Sequence, residues 1–158
     1  HPARTTFEGL EYFPTNPEWR VEARLEPYDP PKQIPILNII GIVAPQPSPG
    51  ALVFTVAGKE YRLDPILEQG SDELFIIFAD RTSGVETYPA GRYLYAPFPP
   101  PGGTTVLDFN KSYNPPCAFT DFATCPLPPR QNRLDLRIEA GEKRYANEHH
   151  APTKAASS

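Results

Sequence analysis

Trp19-Arg20-Val21-Glu22-Ala23-Arg24-Leu25-Glu26 alternates apolar and charged residues without a break. A period of two marks a strand that buries one face and wets the other. The segments on either side extend this β reading. Asp29-Pro30-Pro31 is expected to end the strand. A second extended segment runs through Ile34, Ile36, Ile40 and Ile42, with Pro35 marking an edge position or a bulge. Pro45-Gln46-Pro47-Ser48-Pro49-Gly50 reads as a loop. Leu52 to Val56 and Lys59 to Leu63 flank Ala57-Gly58, a tight hairpin turn with Gly58 at positive φ. Leu74 to Phe78 is a strand buried on both faces, Asp80 to Gly84 a turn, and Glu86 to Tyr88 the start of a return. Arg92 to Ala96 and Thr104 to Phe109 are further strands. Leu134, Leu136 and Ile138, alternating with Asp135, Arg137 and Glu139, form the last.

Of 158 residues, 22 are proline. Proline fixes φ and lacks a backbone donor, so this density excludes long helices and central parallel strands. Nine Phe, eight Tyr and one Trp supply bulky core groups. About eight short strands joined by Pro-rich loops predict an all-β fold. A small antiparallel β-barrel is the expected form, because closure removes exposed edges, and a β-sandwich is the alternative. The expected organisation is an irregular arm over 1–17, a single β domain over 18–146 and a flexible tail over 147–158.

The net charge of −4 is mixed in sign and forms no basic stripe, which argues against nucleic acid or an anionic membrane as partner. No apolar run reaches the ~18–20 residues that span a bilayer. The chain begins at His1 and contains no methionine, so His1 is not expected to be a translation start. A removed signal peptide, a released upstream domain and a trimmed chain are the alternatives. A secreted or cell-surface location is compatible with the two cysteines.

Asp108-Phe109-Asn110-Lys111-Ser112-Tyr113-Asn114-Pro115-Pro116-Cys117-Ala118-Phe119 forms an unusual motif. Ala123-Thr124-Cys125-Pro126-Leu127-Pro128-Pro129 and Asn132-Arg133-Leu134 follow it. Upstream stand Gly58-Lys59-Glu60-Tyr61-Arg62-Leu63, Thr82-Ser83-Gly84, Glu86-Thr87-Tyr88 and Gly91-Arg92, and near the end Gly141-Glu142-Lys143-Arg144-Tyr145. In this order they resemble the bacterial family catalogued as domain of unknown function 1684, over roughly Phe7 to Ala146. The resemblance implies domain boundaries and brings no activity.

The segment from Asp108 to Cys125 gathers functional side chains in a loop, where binding residues tend to lie. Asp108, Asn110, Lys111, Tyr113 and Asn114, with Tyr88 and Arg92 from a neighbouring strand, are expected to converge at a barrel mouth. Such a set suits a small anion or a sugar, or an acid and base. An equally physical reading has these Asn and Asp side chains bonding nearby backbone in a proline-rich loop. Cys117 and Cys125 enclose seven residues and are read as a disulfide ahead of free thiols. A catalytic thiol lacks its base, since His1, His149 and His150 all lie at the ends. No metal site and no cofactor is expected. Asn110-Lys111-Ser112 fits the N-glycosylation acceptor pattern.

Three functions remain at this stage. The first is a barrel binding a small polar ligand at the mouth. The second is a self-assembling structural subunit, with the arm Pro2 to Pro17 lying on a neighbour. The third is an enzyme of unassigned type using the Asp108–Asn114 loop.

Overall fold

The structure, a computed structural model, describes residues 11–100, 102–119 and 124–144. The first ten residues, the expected tail and all three histidines lie outside the described residues. The Trp19–Glu26 alternation opens a strand, β1 (Arg20–Leu37), that continues well past Asp29. Ala23 and Leu25 turn into the core while Glu22 and Arg24 face solvent. β2 (Val43–Val56), β3 (Lys59–Leu63), β4 (Glu73–Phe78), β5 (Arg92–Pro97) and β6 (Thr104–Asp108) follow. Every ladder is antiparallel, and the fold is all-β.

The four-stranded sheet, in the order β3-β2-β1-β6, curls into a half-barrel, and β4 and β5 form a second, smaller sheet. Ile66 bridges Phe75 through two backbone hydrogen bonds of 2.8 Å, tying the segment after β3 to β4. On the other side β5 runs beside β6 with no ladder between them. Both sheets feed one core, in which Leu25, Leu52, Phe54 and Leu107 meet Leu74, Ile76, Phe78 and Leu94. Each fully buried aliphatic or phenyl group there contributes about 1.5–3 kcal/mol. β4 is buried on both faces, as its unbroken apolar run predicts. Its alternate residue Ile77, with the half-buried Phe75, packs in a second cluster with Ile34, Ile36, Ile66 and Tyr93.

Three segments differ from expectation. Asp29-Pro30-Pro31 bends β1 without ending it, and the β1–β2 register shifts between Pro27 and Lys32. Gly50 sits at this irregularity, where a Cβ would fall 2.5 Å from the Glu26 carbonyl oxygen. Pro45 to Gly50 is not a loop but part of β2. Pro45 faces Pro35 and Pro47 faces Gln33, so the prolines occupy alternate rungs. Antiparallel rungs alternate between bonded and non-bonded pairs, and a Pro–Pro rung has no donor. Ile34–Gln46 and Ile36–Ala44 are therefore the bonded rungs, and the missing donors lie on the outer edge.

The expected last strand keeps its side-chain alternation, with Leu134 and Ile138 buried, but joins no ladder. Its backbone is held by other groups. Leu134 N–H donates to the Ala79 carbonyl (2.8 Å), Arg81 N–H to the Leu136 carbonyl (2.8 Å), and Ile138 N–H to the Asp80 carboxylate (2.7 Å). The return after the Asp80 turn comes at Arg92 and not at Glu86, which belongs to a further turn in which Gly84 N–H reaches the Thr87 carbonyl.

Candidate functional site

The seven residues expected at the mouth separate into two groups. Arg92, Tyr88 and Asn114 are buried. The Arg92 guanidinium donates to the carbonyls of Ile138 (3.1 Å), Ala140 and Glu142 (3.4 Å) and to the Asp80 carboxylate (3.4 Å), and lies over the Phe78 ring. Burial lowers its pKa below the ordinary arginine value, and the nearby Asp80 and Glu142 charges oppose that shift. Asp80 accepts in addition from the Thr82 hydroxyl (2.8 Å) and from the Ile138 N–H. Asn114 N–H donates to Glu142 (2.7 Å), whose other oxygen accepts from the Tyr12 hydroxyl (2.9 Å). This group clamps residues 138–143 and the segment around Tyr12 to the core.

Asp108, Lys111 and Tyr113 instead line an open cavity of about 390 Å³ along the seam where β5 and β6 fail to pair. Arg20 enters from β1, Glu73 from β4, Leu94, Tyr95 and Pro97 from β5, and Val106 from β6. One flank of the seam is closed by Tyr93 and Tyr113, which exchange backbone hydrogen bonds of 2.9 and 3.0 Å. The Tyr95 and Tyr113 rings stack at 6.4 Å with planes 13° apart, and Phe75 extends the stack behind Tyr95 at 4.9 Å. Burial raises the Tyr113 hydroxyl above the usual phenol range, and Tyr95 adds to the shift. No ion pair among the described residues engages Arg20, Lys111 or Glu73.

Asn110 stands between the groups. Its side chain exchanges hydrogen bonds with the Asn16 backbone (2.9 and 2.8 Å) and donates to Asp108 Oδ1 (3.0 Å), so it pins the incoming chain and orients the Asp108 carboxylate. Cys117 and Cys125 lie at disulfide distance with Cα atoms 6.2 Å apart, closing the loop beside the second cluster. Sequence reasoning missed Arg20, Glu73 and Tyr95. Tyr95 was legible as an aromatic at an outward position between Leu94 and Ala96, whereas Arg20 and Glu73 carry no local signal.

A family model described as protein of unknown function (DUF1684) matches residues 5–143. The chain belongs to this family. A solved structure is also similar: an uncharacterised protein of Haloarcula marismortui, determined by solution NMR, is 33% identical with a TM-score of 0.71. The match covers 89% of this chain and 78% of that one. No curated protein matches the chain.

Proposed function

We propose that this DUF1684 protein is a binding module for a small, neutral, hydroxyl-rich ring such as a sugar, held in the β5–β6 seam. The observation that carries this reading is the stacked Tyr95–Tyr113 pair set among charges that join no ion pair among the described residues. Two cations, Arg20 and Lys111, and two carboxylates, Glu73 and Asp108, line the cavity, so their formal charges cancel. A net anion or cation gains little from such a lining. Hydroxyl groups gain from both signs, since each donates to a carboxylate and accepts from a cation. The part-exposed Tyr95, beside Tyr113, offers aromatic surface to the apolar face of a ring. The volume lies within the usual ligand range of about 300–1,000 Å³.

Amide-shift titration of the full chain with neutral mono- and disaccharides tests the reading. Saturable shifts confined to the amides around residues 20, 73, 94–97 and 106–113, with affinity reduced about tenfold or more in Tyr95→Ala, are expected. Tyr95 is 43% exposed and belongs to neither core cluster, so its truncation removes the stack on Phe75 and leaves the buried residues in place. Absence of shifts across the panel at millimolar sugar, or equal affinity in Tyr95→Ala, overturns it.

A further inference from the structure

The closed end of the β1–β2 hairpin is aliphatic and open to solvent. Leu37, Ile40, Ile42 and Val43 are 43%, 60%, 58% and 58% exposed. From Gln33 to Gly58 the chain carries no Asp, Glu, Lys or Arg. The turn also satisfies its own donors. Asn38 Oδ1 accepts from the N–H groups of Ile40 (3.1 Å) and Ile42 (3.0 Å). The Asn38 carbonyl accepts from Gly41 N–H (3.0 Å), and Ile39 N–H reaches the Cys125 carbonyl (3.0 Å). Such bonds also close turns that stay in water, so they permit entry into an apolar medium without demanding it. A turn entering an apolar medium does need them, since an unpaired donor there costs several kcal/mol.

Three occupants compete for this tip: an added strand, a second copy and a lipid surface. Strand addition requires donors along the outer edge of β2, where Pro45, Pro47 and Pro49 have none. A stable dimer requires roughly 20–30 residues a side, and four side chains fall well short. A lipid surface requires neither edge donors nor a complementary shape, only apolar groups free of charge that would be desolvated. The net charge of −4 favours a zwitterionic surface over an anionic one.

We propose that Leu37–Val43 docks reversibly on a lipid surface, with Ile40 and Ile42 entering the boundary between headgroups and acyl chains. The tip shares no residue with the seam cavity, so this inference stands or falls apart from the ligand reading. Flotation of the full chain with phosphatidylcholine vesicles tests it, beside the double variant Ile40→Ser/Ile42→Ser and a control, Val85→Ser, at a 63% exposed position elsewhere. The parent and the control float with the vesicles, and the double variant loses about tenfold or more of its partitioning. Ile40→Ser alone, which disturbs no buried contact, gives a smaller loss in the same direction. A parent chain that stays with the buffer, or a double variant that floats equally well, overturns the proposal. A parent that sediments as a dimer while the double variant is a monomer overturns it too, and assigns the tip to a second copy.

Discussion

Removing a guanidinium and a carboxylate from water costs several kcal/mol for each ion, and Arg92 and Asp80 offset this only by bonding one another and the nearby backbone. Both side chains are wholly buried. The exposed ion pairs of Arg24, Glu26, Glu60 and Arg62 on the outer sheet face are different, because water and salt screen them and each is worth little. Asp80→Asn leaves the Arg92 charge without its counter-ion and is expected to lower stability by about 3–5 kcal/mol. Equilibrium urea denaturation measures the loss. The double variant Asp80→Asn/Arg92→Met is expected to lose less than the two single losses added together, because no lone charge stays buried. A loss below about 1 kcal/mol for Asp80→Asn would mean that the pair does not hold residues 138–142 in place. In the sequence Arg92 looked like a ligand group and Asp80 like a turn residue. Neither sequence spacing nor residue type announces a partner that arrives from forty or more positions away.

At the scale of elements, the β1–β2 ladder is bonded through the rungs that carry no proline. Gln46 faces Ile34 on one of them. Gln46→Pro removes a donor and leaves a carbonyl unpaired, an expected loss of about 1–3 kcal/mol. Pro47→Ala touches only the outer side of the rung and is expected to stay within about 1 kcal/mol of the parent. Thermal or urea midpoints of the two variants separate these outcomes, and equal losses would contradict the register. The hairpin at Ala57-Gly58 was legible because its turn chemistry is local. Gly58 takes φ 79°, and Ala57 also adopts a positive φ, 52°. Pro45 to Gly50 was misread for the opposite reason. Its prolines suggest a loop until the facing prolines of β1 are known, since only the pairing shows that every missing donor falls where none is used.

Across the whole molecule, the two sheets enclose tyrosines whose ionisation opposes folding. Burial, followed by neighbouring tyrosines, raises Tyr93 above the ordinary phenol value, and Tyr113 is raised in the same way. Folded values above the unfolded value of about 10 give a stabilisation that is complete below that pH. It is lost as pH climbs from there through the raised values, because only the unfolded chain then releases these protons. Spectrophotometric titration of phenolate is expected to show part of the eight-tyrosine signal withheld until the chain unfolds. Stability measured by urea is expected to fall steadily above about pH 10. A single early titration step accounting for all eight would contradict the packing of Tyr93 and Tyr113.

Residue order alone determined the all-β class, the two-faced burial of β4 and the tight turn at Ala57-Gly58. Each rests on periodicity or on backbone preference within a few residues. The alternation at Leu134, Leu136 and Ile138 correctly marked which side chains are buried. A period of two reports an extended backbone with one wet face, however, and says nothing about what bonds that backbone. Tertiary structure decided that a guanidinium, a carboxylate and two loop segments do so in place of a neighbouring strand. It also divided the polar cluster around Asn110, taking Arg92 and Asn114 inward and leaving Asp108, Lys111 and Tyr113 on the seam. Which side chains share that seam depends on β5 and β6 lying side by side unpaired, a matter of how the half-barrel meets the second sheet.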